Sequence, residues 1–255
     1  MRKIGKANYY LDPKIRFSSR VENYIKYRPK YPQEVITFLK EKNILLNDSI
    51  IADIGSGTGI LSKLFLKNGN LVYGVEPNKD MRNAAEKLLI NYPNFNSIDG
   101  SAENTKLRKN SIDLITAGQS FHWFDVDKTK KEFKRIIKPK CYVALIWNNR
   151  RKKAPGFPSE YDQLLLKYGK DYKEVRKNEK NIDKFFLYEK KVLYNFQEVN
   201  LEEFKGRVLS ASYIPLEDDP IFGEMIKDFE NLFMKYQEKG SLKLEYDTEI
   251  YFGKI

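Results

Sequence analysis

The chain is short of the residues that build metal and redox centres: among 255 residues there is one cysteine, Cys141, and one histidine, His122. A lone cysteine excludes an internal disulfide, a thiol redox pair and a zinc–cysteine cluster, and a lone histidine excludes a histidine-rich site, so no metal is expected. No apolar run approaches the ~20 residues of a membrane span. The opening M-R-K-I-G-K-A-N-Y-Y lacks the apolar stretch of a signal peptide, so the expected location is cytoplasmic, with no membrane partner. Arginine is scarce as well, supplying 11 of the 46 basic residues against 35 lysines. The formal charge of +11 invites a nucleic-acid partner. Arginine, however, is the residue of bidentate phosphate and base recognition, and its scarcity argues against that partner. The densest basic stretch, Lys128 to Lys153, reads as a solvated face or as an electrostatic funnel for an anionic substrate. Gly/Ser linkers and internal repeats are also lacking, which points to one domain over residues 1–255 whose 41% hydrophobic content suffices for a full core.

What is present centres on Ile50 to Ile60, I-I-A-D-I-G-S-G-T-G-I. An apolar stretch leads to Asp53 and then to Gly55, Ser56, Gly57 and Gly59, followed by a helical pattern of Ile60, Leu61, Leu64 and Phe65 with Gly69 as its stop. This is a buried strand turning abruptly into a helix, with glycines where a side chain would obstruct a ligand. The dinucleotide fingerprint G-x-G-x-x-G requires its third glycine at the position of Ile60; here it falls one residue early, at Gly59. A second apolar strand, Leu71–Val75, ends at Glu76-Pro77. An acid at that tip can accept hydrogen bonds from both hydroxyls of an adenosine ribose. The next helix is capped by Asn78 and carries Met81, Ala84, Ala85, Leu88 and Leu89 at helical spacing. Met81 either flanks an adenine or packs in the core.

Strands and helices alternate onward. A helix spans 32–42, strands 95–98 and 111–117 follow, then a helix over 127–137 halted before Pro139, and a strand over 142–147. Such a β-α-β-α succession predicts a doubly wound α/β fold, a mostly parallel sheet whose ligands sit beyond the carboxyl ends of its strands. After residue 152 the pattern changes. Helical stretches over about 158–176, 201–209 and 217–238 surround one strand, 191–199, in which Val192, Tyr194 and Phe196 share a face. A last strand, 242–252, alternates Leu242, Leu244, Tyr246, Ile250 and Phe252. With the five before them these strands make seven, and the Asp53–Gly59 loop's resemblance to class I S-adenosylmethionine methyltransferases implies that they end a seven-stranded sheet as an antiparallel pair, with 152–240 forming a helical substrate cap.

The D-x-G-x-G-x-G spacing from Asp53 to Gly59 resembles the cofactor loop of class I S-adenosylmethionine (SAM) methyltransferases. The resemblance extends to Gly100-Ser101-Ala102-Glu103, where that family holds the adenine, although Ser101 replaces the usual aspartate. The run Gln119-Ser120-Phe121-His122-Trp123-Phe124 and the segment Phe17-Ser18-Ser19-Arg20, Tyr24, Arg28-Pro29, Tyr31-Pro32 are similar to the subgroup that includes trans-aconitate methyltransferase. So are Leu209–Pro215 and Tyr246–Gly253. The resemblance implies SAM as cofactor, S-adenosylhomocysteine as product, and a Rossmann-like sheet under an N-terminal lid over 1–31. It implies cofactor contacts from Asp53, Gly55, Ser56, Gly57, Gly59, Glu76, Pro77, Met81, Ser101, Ala102, Glu103 and Gln119.

Several roles stay open at this level. Arg28 and Tyr24 either bind the methionine carboxylate of SAM or fasten the N-terminal segment to the body. His122 is either a general base or a packed wall residue. Tyr31, Phe121, His122, Trp123 and Asn148 are candidate acceptor-lining residues, with Phe121, Trp123 and Phe124 either lining or core. The expected function is methyl transfer to the oxygen or nitrogen of a small molecule, a carboxylate among them, since a sulfonium methyl needs chiefly alignment and desolvation. The strand end A-G-Q-S-F-H-W lacks the N-P-P-Y-like motif of enzymes that methylate nucleic-acid bases. Competing readings are a nucleic-acid-directed methyltransferase or RNA-binding module, a SAM binder without activity, and, least favoured by Ile60, a nicotinamide oxidoreductase.

Overall fold

A computed structural model describes residues 20–151, 155–170, 172 and 182–255. Seven strands form one sheet: β1 (Ile50–Ile54), β2 (Leu71–Val75), β3 (Phe95–Ile98), β4 (Ile112–Gly118), β5 (Ile137–Arg150), β6 (Glu189–Val199) and β7 (Leu242–Gly253). Their order is β3-β2-β1-β4-β5-β7-β6. The first five are parallel, β7 runs antiparallel to β5, and β6 antiparallel to β7. The doubly wound sheet with an antiparallel closing pair is therefore present. Strand order reverses between β1 and β4, the kind of crevice where open α/β sheets bind ligands.

Among the described residues, the α-helices are α1 (Val21–Tyr27), α2 (Glu34–Glu41), α3 (Ile60–Lys67), α4 (Lys79–Leu88), α5 (Val126–Ile136), α6 (Phe157–Tyr168), α7 (Ile182–Phe185), α8 (Leu201–Leu209) and α9 (Phe222–Tyr236). Alternate residues of the central strands serve opposite faces, which is why those strands read as unbroken apolar runs. Ile51, Leu114, Ala144 and Ile146 join Val35, Leu39, Leu64 and Phe65 on one side. Ala52, Ile115, Val143, Leu145 and Trp147 meet Phe133, Ile136 and Phe185 on the other. A third cluster, with Tyr161, Phe204, Phe229, Phe233 and Tyr246, joins α6, α8 and α9 to β7. Each buried Val, Leu, Ile or Phe among them contributes about 1.5–3 kcal/mol by burial.

The predicted strands and helices fall close to these positions, with instructive departures. Strand β5 begins at Ile137, before Pro139, because Pro139 occupies an exposed strand end that needs no ladder donor. Leu88 is 42% exposed, so the buried face of α4 consists of Met81, Ala84 and Ala85, with Leu89 just beyond. Val192, Tyr194 and Phe196 do share one face of β6, and it is the exposed one. Of the lid segment, residues 1–19, including Phe17, Ser18 and Ser19, lie outside the described residues, as do Lys152, Lys153 and much of the cap segment 171–181.

The described part of the lid is fastened to the cap. Arg20 Nη1 donates to the Leu209 carbonyl at 2.8 Å, and its Nη2 donates to the Ile214 carbonyl. Gly206 on α8 admits the Tyr27 ring so closely that an added Cβ would lie 2.1 Å from it. Among the described residues, no helix is long and apolar enough to cross a membrane.

Candidate active site

The carboxyl ends of β1, β2 and β4 surround a cavity that opens to solvent. A smaller cavity adjoins it and shares Tyr24, Gly55, Gly118 and Gln119. The loop after β1 forms the floor. Gly57 has φ +56°, and a Cβ there would meet no protein atom within 4 Å, so the backbone presents a bare face toward the cavity. Gly59 differs from expectation: its α-carbon faces Leu89, 2.6 Å from where a Cβ would be, and it lines neither of these two cavities. It is the close-packing glycine that lets α3 lie against α4.

Two buried acids flank the loop. Asp53 is fully buried, with Oδ2 accepting from Ser62 Oγ at 2.6 Å and Oδ1 from Thr116 Oγ1 at 3.1 Å. Burial pushes its pKa up to about 6, with these hydroxyls holding it lower than burial alone would. Glu76, at the tip of β2, accepts from the Gly57 and Asn78 amides at 2.9 and 2.8 Å. Burial raises its pKa against the pull of those amides. The Glu76 carboxylate is thus fixed across the glycine loop before any ligand arrives. The supporting residues Ser62 and Thr116 escaped sequence reading because their separation from Asp53 in the chain, nine and sixty-three positions, carries no local pattern.

The larger cavity is also lined by Pro77 and Met81 from the second strand end and by Ser101, Ala102 and Glu103 from the third. The latter turn is tight: the Ser101 amide donates to the Asn104 carbonyl at 3.0 Å, and the reverse bond is 3.2 Å. Glu103 Oε1 accepts from the Asp125 amide at 3.0 Å, tying this turn to the start of α5. Gln119, at φ +57°, lines both cavities and donates from Nε2 to the Asn148 carbonyl at 3.1 Å. The smaller cavity gathers Tyr24, Arg28, Tyr31, Asp53, Ser56 and Asn148. Asn148 is buried, its Oδ1 accepting from Thr248 Oγ1 at 2.6 Å. Arg28 stacks over Tyr24, 4.8 Å from the ring centre, and donates from Nη2 to the Ser210 carbonyl at 2.8 Å, the geometry of an anchor between lid and cap.

The aromatic run after β4 divides sharply. It forms a single 3-10 turn, Phe121–Trp123, which sends neighbouring side chains in different directions. Trp123 and Phe124 line the larger cavity. Phe121, expected as a lining residue, is 1% exposed and packs edge-on against Phe124, Trp147 and Phe185 in the core. His122 lines neither cavity; its ring lies 4.8 Å from that of Trp123. Ser120, not singled out from sequence, lines the cavity and donates to the Ile54 carbonyl at 2.8 Å. Among the described residues, no cluster of acids, cysteine or histidine could hold a metal ion.

Residues 52–145 match the family model described as a methyltransferase domain. The matched stretch, less than half of the chain, runs from β1 and the glycine loop into β5. An uncharacterised methyltransferase of Schizosaccharomyces pombe is 31% identical over 152 residues, 59% of each chain. One from Mycobacterium bovis is 30% identical over 165 residues, 65% of this chain and 63% of the relative. The chain thus spans less than two thirds of the length of these relatives. A solved structure from Anaeromyxobacter dehalogenans, assigned as a type II methyltransferase, superposes with TM-score 0.69 at 20% identity, covering 89% of this chain and 98% of that one. That likeness is one of fold.

Proposed function

We propose that this protein binds SAM and transfers its methyl group to a small, anionic acceptor. The observation that carries the cofactor assignment is the pairing of bare Gly57 with a Glu76 carboxylate already fixed across the loop, beside a cavity lined from several strand ends. The residues fit the cofactor's chemistry. Glu76 would accept ribose hydroxyls, Met81, Ser101 and Ala102 would bound the adenine, and Asp53 and Gln119 would face the amino-acid end. Bound SAM supplies an activated methyl on sulfur. The chain's task is to orient that group and to exclude water, through Tyr24 and the lid on one side and Trp123 and Phe124 on the other. His122 lies off both cavities and takes no proton-transfer role in this reading.

An anionic acceptor is supported by arginines gathered between lid and cap. Arg207 is 6% exposed, and its hydrogen bonds go to neutral oxygens, Tyr246 Oη at 3.3 Å and Ser210 Oγ at 3.4 Å. Arg28 bonds the same Ser210 through its carbonyl, and its Nε is buried without a hydrogen-bond partner. Burial and then the charge of Arg207 lower the Arg28 pKa. Arg150 is paired with Asp162 at 3.6 Å. Buried cations in excess of their acids call for an anion from outside the chain. The sequence likeness to the trans-aconitate methyltransferase subgroup points the same way.

The test is calorimetric titration with SAM, S-adenosylhomocysteine and NAD, repeated on Glu76→Ala. Micromolar binding of the two sulfur ligands, much weakened in the variant and lacking for NAD, is the expected result. Binding of NAD alone would overturn the assignment. Turnover of labelled SAM with small carboxylic acids against their neutral amides then tests the acceptor class.

A further inference from the structure

Beyond the cofactor cavities lies a groove of about 810 Å³ between the lid and the outer side of α3, reaching the end of α4. Among the described residues, its lining holds four cations, Arg28, Lys30, Lys63 and Lys67, and no acid. Among the described residues, Lys30, Lys63 and Lys67 form no ion pair. Lys63 and Lys67 are exposed and stand one turn apart on a helix, Ile60–Lys67, that contains no acid. Like charges so spaced repel and weaken the helix. The repulsion turns into attraction once an anion sits between them.

The remaining lining supports a ligand with two ends. Thr58 is 3% exposed, yet its Oγ1 has no hydrogen-bond partner. Buried hydroxyls are ordinarily satisfied, so this one is held in reserve for something absent from the chain itself. It stands at the start of α3, whose N-terminus has no side-chain cap and no acid in its first turn. Ile25, Ile60, Leu64, Leu88 and Leu89 provide an apolar bed, and Leu88 is 42% exposed without the groove's being filled.

We propose that this groove binds an amphiphilic anion, with a phosphate or carboxylate head among Lys30, Lys63 and Lys67 and a short hydrocarbon body over Leu64, Leu88 and Leu89. The head group belongs either to a free metabolite-sized amphiphile or to an anionic lipid. The site is distinct from the cofactor cavities, with Arg28, Tyr31 and Ile60 as the wall it shares with the smaller one.

The test titrates the full chain, without cofactor, with octyl phosphate below its micellar concentration. Octyl glucoside, with the tail but no charge, and inorganic phosphate, with the charge but no tail, are the comparators. In a second arm, sedimentation with vesicles of phosphatidylcholine, alone or mixed with phosphatidylglycerol, is measured. Octyl phosphate is expected to bind at least about tenfold tighter than either comparator. The double variant Lys63→Gln, Lys67→Gln, at exposed positions that leave the core intact, is expected to lose about tenfold. Capture by phosphatidylglycerol vesicles with the same lysine dependence identifies the lipid as the source, and octyl phosphate binding without capture identifies a free amphiphile. Failure of both anions to bind, or binding unchanged in the double variant, overturns the proposal.

Discussion

Replacing Asp53 by asparagine should stabilise the ligand-free protein while removing its affinity for SAM. The carboxyl is fully buried beside two hydroxyls and no cation, and its pKa is raised from 3.8 to about 6. The folded state therefore holds its proton where the unfolded chain has lost it. Stability falls as pH rises from the unfolded pKa through the folded one, and the full cost is present above about 6. The gap of some two pKa units corresponds to about 3 kcal/mol. Asparagine has no charge to bury and still accepts from a hydroxyl, so Asp53→Asn should recover up to that amount. Urea unfolding of both proteins at about pH 7.5 and about pH 4 measures it: a gain of up to about 3 kcal/mol at the higher pH, shrinking below about 0.5 kcal/mol at the lower. In the same reading, a ligand ammonium near Asp53 favours its ionised form, so SAM affinity in the wild type should weaken as pH falls through about 6. An asparagine variant less stable than wild type at about pH 7.5 would refute the reasoning, because the buried charge would then be a net asset without a ligand.

Two further predictions separate packing from lining. Gly206→Ala would drive a methyl into the Tyr27 ring, and should cost about 1–3 kcal/mol and loosen the lid, read as faster proteolysis near Tyr27 and weaker SAM binding. Phe121→Ala should cost about 3–5 kcal/mol in unfolding experiments, as for a buried aromatic, whereas Trp123→Ala should change ligand affinity with little loss of stability.

Both aromatic substitutions lie within one short run, Phe121 to Phe124, and that run marks the limit of what local pattern conveys. Its position at a strand end was legible, because the strand before it is apolar and the helix after it is capped by Asp125, whose side chain accepts from the Lys128 amide. Which ring turns inward was not, since a single 3-10 turn has no periodicity for a sequence to display. The same division holds at Leu88, which fits the helical spacing of its neighbours but turns outward at the last residue of α4, while Leu89 beside it is buried.

By itself the sequence determined the strand-loop-helix at Asp53–Gly59, the acid at Glu76, the alternation that forces a parallel sheet, and the closing alternation of Leu242 to Phe252. Each is a local consequence of backbone sterics or of a period of two or 3.6 residues, and needs no knowledge of distant partners. Tertiary structure alone decided that Ser62 and Thr116 hold Asp53, that Gly59 serves Leu89, and that Arg28 and Arg207 meet at Ser210. It also left Lys63 and Lys67 facing a groove with no acid among its described residues. Those relations depend on which elements pack together and at what distance, and burial then sets the energy of every charge among them.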